Sequence, residues 1–194
     1  MASRKRAQDV VTGLAVDPES GQPIREQWDA NWGYCGETSF IAAGMMFGQY
    51  ASQFTVRELA SPGIPQAKAA SQLLLGVNDD VAARAMHLTV GQYSGAGGAR
   101  GRSRAARLIS WMSDQIAEGA RVILGAYIKG LRDPEYDHIV PVIDIVSGGV
   151  GNGGRSRLGG RLSFSDNYGH VLTGTFRSLL RDRRGANTSS APPY

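Results

Sequence analysis

Residues 31–40 read NWGYCGETSF, and this stretch decides the fold because it places Cys35, the only cysteine, directly before a helical pattern. Apolar or small residues then recur every three or four positions, at Phe40, Ala43, Gly44, Phe47 and Ala51. That spacing predicts a helix with one buried face over residues 35–52. The acid and the two hydroxyl residues at positions 37–39 are typical of a helix N-terminus, where main-chain N–H groups lack partners.

Cys35 is therefore expected at the positive end of a helix dipole, where the thiolate form is favoured over the thiol. Gly33 and Gly36 allow a tight turn and leave the sulfur uncrowded. These features predict a nucleophilic thiol with a lowered pKa. The alternative is that Cys35 is a small buried hydrophobic residue, which is the usual environment of a free cysteine.

A base and an orienting group for that thiol follow downstream. Residues 136–146, YDHIVPVIDIV, predict a strand that opens with His138, and residues 162–169, LSFSDNYG, predict a strand that ends at Asp166. If the glycine-rich residues 148–160 join these strands as neighbours, His138 and Asp166 lie at one edge of the sheet. An imidazole between a thiol and a carboxylate can take the thiol proton and return it to a leaving group.

Other assignments of these polar residues stay open. Asp166, or Asn167 beside it, could instead cap the turn before Gly169. His87 and His170 are the competing bases, and His170 lies just past the Asp166 turn.

The order Cys35, His138, Asp166 resembles the papain-like cysteine peptidase superfamily, and a C39-like peptidase domain most closely, because that branch also uses Asp. GYCG at 33–36 resembles the nucleophile turn of the superfamily, and DHIVPV at 137–142 resembles its histidine strand. DNYG, which starts at Asp166, is similar to the Asn-Ser-Trp-Gly segment whose first residue orients the histidine.

The resemblance implies a fold and a triad. The fold would be α+β, with an N-terminal helical part, the nucleophile at the start of a central helix, and a following antiparallel β-sheet that carries His138 and Asp166. Tyr168 would shield Asp166. The oxyanion hole would use the side-chain amide of Asn31 or Gln27, and we prefer Asn31 because it shares the glycine-hinged turn with Cys35.

The implied activity is that of a cysteine-dependent hydrolase, a peptidase that cleaves an amide bond of a peptide or protein substrate through a thioester acyl-enzyme. Two alternatives remain. The same triad could transfer the acyl group to an amine as an acyltransferase or transpeptidase, or a non-catalytic papain-like module could bind a peptide in its groove.

Composition limits the remaining possibilities. The 194 residues, 42% apolar and 20% charged, predict one soluble globular domain over residues 24–181. Residues 1–23 are expected to be extended or disordered, 148–160 to form a hairpin insertion, and 182–194 to form a flexible tail. No stretch reaches the roughly 20 apolar residues of a membrane helix. No signal peptide is visible, and one cysteine suits a reducing compartment such as the cytoplasm.

Neither nucleic acid nor a metal is an expected partner. The net charge of +4 comes from arginine clusters near residues 100–107, 155–161 and 177–184, and these clusters lack interleaved aromatic residues. They are typical of solvated connections rather than of a nucleic-acid interface. One cysteine and three scattered histidines offer no close-spaced pair of metal ligands, so no cofactor is expected.

The periodicity predicts helices first and strands after, which is an α+β arrangement. Further helices are predicted at residues 56–60, 66–75, 79–88 and 104–118, and strands at 121–129, 138–147, 161–166 and 171–177.

Overall fold

The fold is that of a computed structural model, which describes residues 15–16, 21–93, 102–127, 137–146 and 160–176. A short ladder of β1 (Ala15–Val16) and β2 (Pro23–Ile24) precedes the helices. The helices in the described part of the chain are α1 (Cys35–Met45), α2 (Gln53–Ala60), α3 (Asp79–Ala85) and α4 (Arg102–Ala117). They are followed by strands β3 (Ile123–Tyr127), β4 (Asp137–Val146), β5 (Arg161–Ser165) and β6 (Val171–Thr175).

These four strands form one antiparallel sheet in the order β3-β4-β5-β6. The predicted α+β class is confirmed, with the helices before the four-stranded sheet. The tail at 182–194, nearly all of the insertion at 148–160, and most of the lead-in at 1–23 lie outside the described residues.

The first predicted helix is too long. α1 ends at Met45, and the chain then turns through Gly48, whose φ of +79° is left-handed. Four residues after Gly48, the hydroxyl of Ser52 accepts a hydrogen bond of 3.0 Å from the main-chain N–H of Thr55 and caps the start of α2. Residues 35–60 therefore form two helices, because a left-handed glycine ends the first and a capping serine starts the second.

The helix predicted over residues 66–75 is also wrong, since this segment holds only a single 3₁₀ turn, Ala69–Ser71. The main-chain N–H of Leu73 donates to a carboxylate oxygen of Glu37 at 3.0 Å, and that of Leu74 donates to the side chain of Asn78 at 2.8 Å. Side chains thus take main-chain hydrogen bonds that a helix would need.

The described residues form two hydrophobic cores. The first lies among α1, α2 and α3 and contains Phe40, Ile41, Val56, Ala60, Leu73, Ala82, Ala83 and Met86. The second lies between α4 and the sheet and contains Ile109, Met112, Val122, Val140, Val142, Leu162, Phe164 and Phe176. α1 also packs against β4, so the helical half and the sheet half of the protein meet along these two elements.

The sheet register brings two predicted site residues together. β4 and β5 are antiparallel neighbours, with Val142 opposite Phe164 and Val146 opposite Arg161. The N-terminal end of β4 and the C-terminal end of β5 therefore share one edge of the sheet. His138 and Asp166 lie at that edge, as the strand pattern predicts.

Replacing Gly36 by alanine should destabilise the fold, because a Cβ at this position would collide with the main-chain oxygen of Leu73. We expect the free energy of unfolding of Gly36→Ala to fall by about 1–3 kcal/mol, measured by urea denaturation. Gly91→Ala is the matched control, since Gly91 has open space around it. A Gly36→Ala protein as stable as the Gly91→Ala protein would contradict this close packing.

Candidate active site

The turn before Cys35 has an unusual main chain. Asn31, Trp32 and Gly33 are consecutive left-handed residues, with φ values of +49°, +71° and +87°. This conformation costs roughly 1–2 kcal/mol for each residue other than glycine. Side chains bind all three carbonyl oxygens: Arg57 Nη1 donates to Asn31 at 2.7 Å, Gln72 Nε2 donates to Trp32 at 2.6 Å, and Arg57 Nη2 donates to Gly33. We refer to residues 31–33 as the strained turn.

Arg57, which anchors the strained turn, is completely buried in α2 and forms an ion pair with Glu37 of α1. Its Nε lies 2.6 Å from Oε1 of Glu37, and both side chains are at most 1% exposed. The same Oε1 accepts the main-chain N–H of Leu73, and the guanidinium lies 3.7 Å above the ring of Tyr34. Buried charges are tolerated when they are paired and hydrogen-bonded, as these are. Glu37 lies in the first turn of α1, as predicted, but its main partner is Arg57.

Cys35 begins α1, as predicted, and is half-buried. Its sulfur lies within reach of the main-chain N–H of Ile139, the residue that follows His138 in β4. The thiol therefore faces the N-terminal end of β4, where the predicted base is located.

His138 is completely buried, and its Nε2 lies 2.7 Å from the main-chain oxygen of Asp166. A carbonyl oxygen can only accept, so Nε2 must carry a proton and Nδ1 is the basic nitrogen of the neutral ring. The ring of Tyr168 stacks against the imidazole, with centroids 5.8 Å apart and planes inclined by 20°. The hydrogen bond thus fixes the tautomer of His138, and the stacked ring of Tyr168 helps to fix its orientation.

Asp166 lies beside His138, but it contacts the imidazole through its main chain. Its Oδ1 accepts hydrogen bonds from the main-chain N–H groups of Tyr168 at 2.8 Å and His170 at 3.0 Å, and Oδ2 lies 3.0 Å from Nδ1 of His170. The carboxylate therefore caps the turn, which is the alternative that the sequence left open, and Tyr168 covers the imidazole rather than Asp166.

The two competing histidines lie on the surface. His170 is largely exposed beside Asp166, and His87 is exposed in the turn after α3.

Asn167 is a site residue to which the sequence assigned only a turn. It is completely buried, and its Nδ2 donates to main-chain oxygens of Ile139 at 2.8 Å and Cys35 at 3.2 Å. The hydroxyl of Ser39 lies within 3.0 Å of the same two oxygens and 3.2 Å from Nδ2. These bonds join the start of α1, the start of β4 and the turn after β5. The φ of +57° could have been foreseen, since asparagine tolerates this conformation well, but the contacts could not.

The two candidates for the oxyanion hole differ in their surroundings. The side-chain amide of Asn31 donates to the hydroxyl of Tyr34 at 3.0 Å, inside the turn. The amide of Gln27 donates to the hydroxyl of Tyr168 at 3.0 Å, and its Nε2 also faces Gly33, 3.7 Å from where a Cβ would lie on that residue. Gln27 thus lies between the turn before Cys35 and the ring that covers His138, and we now prefer it to Asn31.

No protein-family model, curated protein or solved structure matches this chain. Within the described ranges, no helix is both long and apolar enough to cross a membrane. The same residues contain no group of three or more His, Cys, Asp or Glu side chains arranged to hold a metal ion.

The electrostatics of the site favour a neutral pair. Burial raises the pKa of the Cys35 thiol, and the carboxylate of Glu37 adds to that effect, while N–H groups such as that of Ile139 oppose it. Burial also lowers the pKa of His138. The hydrogen bond to the main-chain oxygen of Asp166 and the negative charge of the Asp166 carboxylate both oppose this shift. The prediction of a lowered thiol pKa was therefore wrong, because burial outweighs the position at the helix start.

The ion pair of Arg57 should contribute far more to stability than an exposed one. Arg57→Met would leave Glu37 charged and buried without its partner, so we expect the free energy of unfolding to fall by about 3–5 kcal/mol. Arg84→Met is the matched control, since Arg84 pairs with Asp80 on the surface of α3 at 2.7 Å, and we expect a change below about 1 kcal/mol. Urea denaturation of both variants measures the difference, and equal losses would contradict the assignment.

The lowered pKa of His138 makes stability depend on pH in a defined direction. Below the ordinary histidine pKa of about 6.5, the unfolded chain takes up a proton more readily than the folded one. The stabilising contribution of neutral His138 is therefore complete above that pH and is lost as the pH falls through the folded-state pKa. We expect the urea midpoint of the wild type to fall more between pH 7.5 and pH 5 than that of His138→Gln.

His170→Gln serves as the control for this comparison, because His170 is exposed. It should keep most of the pH dependence of the wild type. A His138→Gln protein with the full wild-type dependence would show that another group is responsible.

Proposed function

We propose that this chain is a papain-like cysteine hydrolase, nearest to a C39-like peptidase, with Cys35 as the nucleophile and His138 as the base. The observation that carries the proposal is the hydrogen bond from Nε2 of His138 to the main-chain oxygen of Asp166. It leaves Nδ1 as the proton acceptor, on a ring next to Ile139, whose N–H reaches the sulfur of Cys35. In this protein a main-chain carbonyl would do what the superfamily does with a side chain.

The reaction follows from that arrangement. Sγ of Cys35 attacks the carbonyl carbon of a peptide bond as Nδ1 of His138 takes the thiol proton. His138 then protonates the leaving amine, the C–N bond breaks, and an acyl thioester remains on Cys35. Water attacks this thioester, again losing a proton to His138, and the C–S bond breaks to release the acid and restore the thiol.

The negative charge that develops on the carbonyl oxygen needs donors. The main-chain N–H of Cys35 and the second N–H of the Gln27 amide are the proposed pair. The first N–H of that amide donates to Tyr168, which fixes its direction before the substrate arrives. One preorganised donor of this kind contributes about 3–4 kcal/mol in other enzymes.

The pKa shifts of Cys35 and His138 determine how the reaction starts. A thiol with a raised pKa and an imidazole with a lowered pKa remain neutral at rest. The proton therefore moves from Cys35 to His138 during the attack, and no ion pair is present beforehand. The rate should then depend on substrate binding to bring the two groups into reaction.

The raised pKa of Cys35 and the lowered pKa of His138 also favour a second candidate. This candidate is a non-catalytic module of the same fold that binds a peptide in its groove. A neutral thiol reacts much more slowly with electrophiles than a thiolate does. The carboxylate of Asp166 acts on His138 through its charge, while its hydrogen bonds go to the turn and to His170.

Hydrolysis of a mixture of fluorogenic peptides by the full chain tests the proposal. We expect Cys35→Ser to abolish turnover and His138→Gln to lower kcat by about 10²–10⁴-fold, which is the usual contribution of a general base. Asp166→Asn keeps the main-chain oxygen, so we expect a loss of less than about tenfold. It also removes a negative charge that raises the pKa of His138, so the acidic limb of the pH profile should move to lower pH.

His170→Gln is the matched control for these variants and should keep most of the activity. Full turnover by Cys35→Ser would refute the hydrolase. A wild-type protein that binds peptides and cleaves none of them would instead support the non-catalytic module.

A further inference from the structure

The strained turn leaves its largest side chain in solvent. Trp32 is 64% exposed, although its main chain is held in a conformation that only glycine adopts freely. Burial of the indole therefore does not offset the strain. Strain of this kind persists when the surrounding structure enforces it, and it is concentrated at functional sites.

Hydrogen bonds hold both the main chain and the ring of Trp32 in place. Its carbonyl oxygen accepts from Gln72 at 2.6 Å, its neighbours Asn31 and Gly33 are bound by Arg57, and its indole N–H donates to the main-chain oxygen of Ala67 at 3.1 Å. Both the backbone and the edge of the ring are therefore fixed before any ligand binds. A surface ordered in advance loses less entropy on binding.

A second indole lies nearby. Trp28 is 47% exposed and packs edge-on against the ring of Tyr34, with centroids 5.4 Å apart. Tyr34 directly precedes Cys35, so one largely exposed indole belongs to the strained turn and a second packs on the residue before the proposed nucleophile. Tryptophan side chains are strongly enriched among residues that dominate binding energy.

We propose that Trp32 binds a large apolar side chain of the peptide substrate close to the scissile bond. The inference rests on the proposed function, because it takes the ligand to be a peptide bound at Cys35. The indole N–H is already bonded, so the ring offers only its faces and carbon edges, which suit aromatic or aliphatic groups. A net charge of +4 disfavours a cationic side chain as the alternative partner of the ring.

Binding to the full-length Cys35→Ala protein tests this inference without requiring turnover. The probes are three blocked pentapeptides, acetyl-Ala-Ala-Xaa-Ala-Ala-amide with Xaa as Phe, Ala or Lys, measured by isothermal titration calorimetry. We expect the Phe peptide to bind at least about tenfold more tightly than the other two, as for an apolar hot spot. Adding Trp32→Ala should reduce this preference to less than about threefold.

Two further variants separate the ring from the fold. Trp32→Gly relieves the left-handed strain, so it should raise the thermal midpoint while losing the preference for Phe. Tyr50→Ala, which removes another exposed aromatic ring, should keep that preference. Equal affinity for the three peptides, or an unchanged preference in Trp32→Ala, would overturn the inference.

Turnover of the Phe peptide by the wild type keeps the two proposals apart. Trp32-dependent binding without cleavage would defeat the hydrolase and leave the binding surface standing. Cleavage of the peptide without a Trp32-dependent preference for Phe would support the hydrolase and overturn the role of Trp32.

Discussion

The buried ion pair between Arg57 and Glu37 is the interaction on which the rest of the site depends. A guanidinium without solvent needs partners for its donors, and four hydrogen bonds join Arg57 to the Glu37 carboxylate and to the main-chain oxygens of residues 31, 33 and 66. Meeting that requirement fixes α2 against α1 and fixes the turn before Cys35 against both. The position of the nucleophile is therefore a consequence of burying one positive charge.

A second set of bonds joins the helical half to the sheet half. Asn167 and Ser39 bind the main-chain oxygens of Cys35 and Ile139, which lie at the starts of α1 and β4. The thiol and the imidazole come from elements that belong to two different cores, and nothing in either core alone would set their relation. The polar network at the boundary between the cores supplies that relation.

The protonation state of the site reflects this location. Packing between two cores removes water from Cys35 and His138, and the loss of solvation acts on both in the direction of the neutral form. The helix start, taken alone, would favour a thiolate. Burial is the larger effect, so the chemistry that we propose begins from a thiol and a neutral imidazole.

Local pattern in the sequence was enough for the α+β class, the start of α1 at Cys35, the neighbouring strands β4 and β5, and the shared edge of His138 and Asp166. Each of these follows from periodicity or from chain order. The end of α1 at Met45 is also set locally, by Gly48, although the helical spacing of apolar residues runs past it. The loss of the helix at residues 66–75 and the partner of His138 could not be predicted in this way. They depend on hydrogen bonds between distant residues, such as Leu73 with Glu37 and His138 with the main chain of Asp166. The sequence determined which segments could meet, and only the tertiary structure decided which atoms do, because a buried charge or carbonyl takes its partner from whatever the packed chain brings within about 3 Å.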